Sequence, residues 1–169
     1  MSKLATLLVA YIKQFESNNI AYNYDKEDDL LLVHMKMGPA PLNRIVICVT
    51  PTEDGCNFRF VYDDVIIPQN VSNELLIFFT ALNAKIPDVT FAFDFTEGII
   101  EIRHYWSCTL LDDSFIYEHC LHYFAYIHQV VQNYMSAVSP LMADILFNGG
   151  TAQKELQKIS DIVARLPKG

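Results

Sequence analysis

No run of apolar residues in this chain approaches the length of a membrane span. The longest candidate, Leu75 to Phe79, is far too short, so no membrane segment is expected. Met1-Ser2-Lys3-Leu4 leads straight into an amphipathic pattern. It lacks the continuous apolar segment and small-residue cleavage site of a secretory leader. Positive charge is scarce: 12 Lys and Arg stand against 20 Asp and Glu, a formal charge of -8. Such a chain repels nucleic-acid phosphates and anionic lipid heads, so neither is an expected partner. Cysteine is sparse too, at positions 48, 56, 108 and 120, and no pair is spaced C-x-x-C. That favours reduced thiols in a cytosolic protein over disulfides or zinc. Cys48 and Cys56 flank a hairpin turn and could lie near one another, but reducing conditions oppose a bridge.

The signatures of catalysis are missing as well. The sequence Glu118-His119-Cys120-Leu121-His122 is not H-E-x-x-H, and Cys120 falls on the apolar side of its helix. It supplies too few ligands for zinc at motif spacing, so a solvated helix face is the better account. No serine sits in G-x-S-x-G. Cys108 has His104 four strand positions back, too far for a thiol activated by a base. Asp63-Asp64 are strand neighbours that point opposite ways, and Asp112-Asp113 cap a helix. Neither resembles an acid/base pair facing one cleft. The acidic run Asp25-Lys26-Glu27-Asp28-Asp29 lacks the alternating ligands and central glycine of a calcium loop and reads as a solvated turn. There is no phosphate loop and no internal repeat. The sequence therefore assigns no catalytic, cofactor or metal residue and reads as non-enzymatic.

What the chain has is aromatic and β-branched residues. Nine tyrosines and eleven phenylalanines in 169 residues supply enough buried area for one sizeable core. The organising stretch is a hairpin. Val89 to Phe95 and Ile99 to Trp106 are two strand-like arms joined by Thr96-Glu97-Gly98. Val89, Phe91, Phe93 and Phe95 alternate onto one face. In the second arm Ile100, Ile102, His104 and Trp106 share a face, and Glu101 and Arg103 point the other way. One wall is apolar and must be covered.

The remaining elements read in order. Lys3 to Ser17 has the spacing of one helical face and stops at Asn18-Asn19, because Asn tolerates the left-handed cap conformation. Leu30 to Met37, Arg44 to Thr50 and Cys56 to Val65 read as a three-strand antiparallel meander. A helix covers about Val71 to Ala84, with Asn70 or Ser72 as its cap. A long helix starts at Asp112-Asp113-Ser114 and runs to Val138. Pro140 is expected to open a separate short helical piece that ends at Asn148-Gly149-Gly150. A last helix, with a narrow stripe at Leu156, Ile159, Val163 and Leu166, is expected from Thr151 to Leu166. The fold class is α+β: an antiparallel sheet with helices packed on it, in the order α-β-β-β-α-β-β-α. Residues 1–150 form the domain and 151–169 a helical extension.

On the helix from Val71 to Ala84, the residues Val71, Leu75, Phe78, Phe79 and Leu82 make one stripe. Leu76 and Ile77 fall outside it, where a two-layer domain shows water. Either the C-terminal extension covers them or another chain does.

Leu82-Asn83, the Phe91-x-Phe93-Asp94 arm, the Gly98 turn and the Ile102-x-x-Tyr105 arm, in this element order, resemble the YbjN family. The run Tyr134-Met135-Ser136-Ala137-Val138-Ser139-Pro140-Leu141, ending at Gly149-Gly150, fits the way that family leaves its last helix. The resemblance covers roughly residues 3 to 150. It implies a bacterial sensory-transduction regulator with the fold of type III secretion chaperones. It also implies a cytoplasmic, dimeric, non-enzymatic domain that binds a protein segment, with the second helix in the dimer contact. Leu76 and Ile77 are then the candidate interface. Two other readings stay open. One is a metal-dependent sensor using Glu118, His119 and His122. The other is a small-ligand sensor with a pocket between sheet and long helix, near His104, Trp106 and His128.

Overall fold

The computed structural model describes residues 2–63, 65 and 67–163, with side chains up to residue 159. Its elements are α1 (Lys3–Ser17), β1 (Asn23–Asp25), β2 (Leu30–Lys36), β3 (Arg44–Pro51), β4 (Gly55–Tyr62), α2 (Ser72–Asn83), β5 (Thr90–Asp94), β6 (Ile99–Ser107), α3 (Asp113–Phe147) and α4 (Ala152–Val163). The fold is α+β. Six strands make one antiparallel sheet in the order β1-β2-β3-β4-β6-β5. The hairpin β5–β6 joins the meander through β6, with Phe58 opposite His104 and Phe60 opposite Ile102.

Strand alternation divides the sheet into two unlike faces. Leu31, Val33, Ile45, Ile47, Val49, Phe58, Phe60, Phe91, Ile100 and Ile102 are buried on one of them. There α1 and α3 pack, through Tyr11 edge-on to Phe58 and Phe15 edge-on to Phe124. The other face carries Arg44, Arg59, Arg103 and Tyr105, all exposed. Burying the ten large side chains of the first face, each contributing roughly 1.5–3 kcal/mol by leaving water, is what holds the helices on the sheet.

The helix ends follow the local chemistry. Ser2 caps α1 through the Ala5 amide, and Asn19 takes a left-handed conformation with φ 55°. Asp112 caps α3 by accepting from the Phe115 amide at 2.8 Å. A short 3₁₀ turn, Gln69–Val71, leads into α2, and neither Asn70 nor Ser72 caps it: the cap position is Val71, with no side-chain bond. Asn83 instead fastens the far end of α2. Its carboxamide donates to the Phe91 carbonyl and accepts from the Phe91 amide, both at 2.8 Å, as a neighbouring strand would.

Three expectations need correction. The described residues make six strands, because Asn23–Asp25 pairs with Leu30–Leu32 around the acidic turn. The turn itself is held by Tyr24 donating to Asp29 at 2.8 Å. Pro140 does not start a new helix; it lies inside α3, which runs unbroken from Asp113 to Phe147. An interior proline costs about 3 kcal/mol because it removes one ladder bond. Val138, Ser139, Leu141 and Met142 are all buried around it, and Tyr62 bonds Ser139 at 3.2 Å, so tertiary packing carries the helix across the defect. Finally, Cys48 and Cys56 do not approach. Cys48 lies opposite the outward Arg59 and Cys56 opposite the inward Trp106, on two different sheet faces.

Candidate functional site

The α2 pair behaves as its helical phase requires. Leu75, Phe78, Phe79 and Leu82 are buried, while Leu76 is 45% and Ile77 54% exposed. The extension helix α4 does dock on α2. The Ala152 amide donates to Glu74 at 2.6 Å, and Ala152 and Ile159 are buried. It meets the Glu74 side of the helix and leaves Leu76 and Ile77 in solvent. Val163 and Leu166 of the expected α4 stripe lie outside the described side chains.

The histidine cluster sits on the outer side of α3. Phe115, His119, His122 and Tyr126 recur at the spacing of one helical face. With Trp106 and Tyr123 they line a groove of about 410 Å³. Its rings lie close together. Phe115 to His119 is 4.2 Å, His119 to His122 5.9 Å and Tyr123 to Tyr126 5.8 Å between centroids. Trp106 stacks on Tyr123 at 4.4 Å with 13° between planes. Phe115 is 44% and Tyr126 49% exposed. Glu118 flanks the stripe, but among the described residues no three His, Cys, Asp or Glu side chains gather closely enough to hold a metal ion.

The space between sheet and long helix, where a ligand pocket was one reading, is occupied by Tyr123. Its hydroxyl lies 2.7 Å from His104 Nε2 while its ring stacks on Trp106. His104 Nδ1 lies 2.7 Å from the Asp88 carbonyl, which can only accept, so Nδ1 donates to it. Asp88 is held from the other side by the Tyr134 hydroxyl at 2.9 Å. Burial, and then this bond to a carboxylate, pushes the Tyr134 phenol up to about 12. His104 and Trp106 thus open onto different cavities. His104 borders one of about 330 Å³ at the β5–β6 edge, with Asp88 and Arg103 among its walls. His128 is half-buried, and burial holds its imidazole below the usual histidine value.

All four cysteines are free and buried. Burial raises each thiol, Cys120 to about 12. A thiol so placed is protonated and screened from reagents. The native protein at pH 8 is therefore expected to react with Ellman's reagent far more slowly than the urea-unfolded chain. A fast stoichiometric burst from the native state would contradict this.

One cluster went unread in the sequence. Glu101 points away from the core, as its strand phase dictates, yet it is fully buried. Arg59 from β4 and Arg103 from β6 close over it. Arg59 Nε reaches Oε2 and Arg103 Nε reaches Oε1, each at 2.5 Å, and a second Arg103 nitrogen also bonds Oε1. The two arginine side chains stay about half exposed. Phe115 and Tyr126 were missed too, although two aromatic rings inside an otherwise polar helical arc were a visible signal.

No protein-family model, no curated protein and no solved structure matches this chain. Among the described residues, no helix is long and apolar enough to cross a membrane.

Proposed function

We propose that this is a non-enzymatic, protein-binding domain of the YbjN kind that self-associates through α2. The observation that carries the reading is the exposure of Leu76 and Ile77 on the outer side of a helix whose other flank is already taken by α4. Two adjacent branched apolar side chains held in water cost free energy that a second surface recovers. A two-fold contact would place the same pair on both partners and bury it twice. The element order behind the YbjN resemblance supports the reading, since the second helix lies in the dimer contact of the secretion-chaperone fold.

The test is mass in solution. Leu76→Glu/Ile77→Glu is expected to give a folded monomer by light scattering, with unchanged far-ultraviolet dichroism, where the parent is a dimer. A monomeric parent, or a double variant that keeps the dimer mass, sinks the α2 interface.

A further inference from the structure

We infer that the aromatic groove on the outer side of α3 is a docking site for a basic peptide segment, its lysine or arginine side chains lying over the rings. The groove is built from four aromatic side chains, Trp106, Phe115, Tyr123 and Tyr126, and two imidazoles, His119 and His122. None of the six carries a carboxylate or an ammonium group. Aromatic faces are electron-rich and attract cations, and guanidinium groups stack on them.

The charge around the groove points the same way. Between Arg103 and Lys154 the chain has no lysine and no arginine; of the acidic residues there, Asp144 is paired with Lys158, Asp112 caps the helix, and Glu118 lies next to the groove. The whole of α3 therefore presents no fixed cation along its 35 residues. Glu118 is exposed beside the ring stripe and makes no ion pair among the described residues. A partner with positive charge meets a net acidic chain and no lysine or arginine on this helix. The same helix shows the contact in miniature on its other side, where Lys13 of α1 lies 5.5 Å over the Tyr117 ring. An acidic or phosphate-bearing partner would meet a chain of charge -8 with no lysine or arginine on this helix.

The exposed rings suit a peptide rather than a deep ligand pocket. Phe115 and Tyr126 stand at 44% and 49% exposure along one helix face, a length over which several side chains of an extended segment can be laid. Trp106, buried at the floor, stacks on Tyr123 and holds that ring in place.

Trp106 is the only tryptophan, so its emission reports on the groove directly. The experiment titrates the full chain with an oligoarginine peptide, with oligoglutamate and with tetramethylammonium chloride. Oligoarginine is expected to change the emission saturably, and oligoglutamate to leave it unchanged. Tetramethylammonium is expected to act only at far higher concentration. Phe115→Ala and Tyr126→Ala remove exposed rings without altering charge and should each weaken oligoarginine binding about tenfold. Glu118→Lys, which places a cation at the rim and touches no core residue, should weaken it as well. No response to oligoarginine overturns the inference. So does undiminished binding by both ring variants, which would reduce the effect to general attraction by an acidic protein. Tetramethylammonium binding as tightly as the peptide overturns it in favour of a small-cation site. The inference rests on the protein-binding reading but not on the α2 contact. Running the titration on Leu76→Glu/Ile77→Glu as well lets loss of self-association and loss of peptide binding be read apart.

Discussion

Removing both guanidinium groups above Glu101, as Arg59→Ala/Arg103→Ala, is expected to destabilise the protein by about 3 kcal/mol or more. A buried carboxylate stripped of its partners must stay charged without compensation, take up a proton or unfold, and breaking such a pair from one side typically costs about 3–5 kcal/mol. The low end applies because the arginines lie on the solvent side, at 45% and 54% exposure, and water can reach in once they are gone. Glu101 itself is 0% exposed. The reverse substitution is milder for the same reason. In Glu101→Gln the amide oxygen still accepts from one guanidinium while the other can turn to solvent, so about 1–2 kcal/mol is expected. Urea unfolding of the two variants measures the asymmetry. If Glu101→Gln costs as much as the double arginine variant, the burial of the carboxylate is not what makes the cluster matter.

The second large effect is expected at Gly55. In Gly55→Ala the new methyl carbon would lie 2.0 Å from the Trp106 carbonyl oxygen and 2.8 Å from the Tyr105 hydroxyl oxygen. The first clash is with backbone, so β4 and β6 must separate at the very register where Gly55 faces Ser107. Overpacking of this kind costs about 1–3 kcal/mol, and a backbone collision belongs at the top of that range. The neighbouring ties are also at risk: the Thr52 amide bonds the Gly55 carbonyl, and the Cys108 amide bonds the Asp54 carbonyl. Trp106 stands on the moving strand, so its emission should shift along with the melting point. Gly98→Ala is the control. Gly98 has φ +66° but open space around it, so only the left-handed backbone is strained, at about 1 kcal/mol. Equal losses at the two glycines would mean that the clash at Gly55 relaxes freely.

These two sites show where sequence reasoning stopped. The hairpin turn between Cys48 and Cys56, which contains Pro51 and leads into Gly55, was legible because a proline-to-glycine stretch between two strand patterns is local chemistry. The carbonyl Gly55 must clear belongs to Trp106, far along the chain, and no local pattern contains that distance. Glu101 was placed on the outer face correctly by alternation. Its burial depends on Arg59, one strand away across a non-local pairing. The α2 pair was legible because helical phase alone puts Leu76 and Ile77 outside the stripe that holds Leu75 and Phe79. The groove was half legible. The histidine spacing stood out, but the wall that makes it a groove comes from Trp106 at the end of β6.

By itself the sequence determined most of the secondary elements, the α+β class and which side of each element is apolar. Those properties follow from periods of two and 3.6 residues, which any short stretch carries within itself. Tertiary structure decided that α3 continues through Pro140, since burial on both sides of the proline outweighs one lost ladder bond. It decided that Cys48 and Cys56 part to opposite faces, because the register of β3 against β4 sets them out of phase. It also decided that an outward carboxylate is sealed by two arginines and that six rings on two elements form one wall. Each of these is a relation between residues distant in the chain, and only packing brings them within reach of one another.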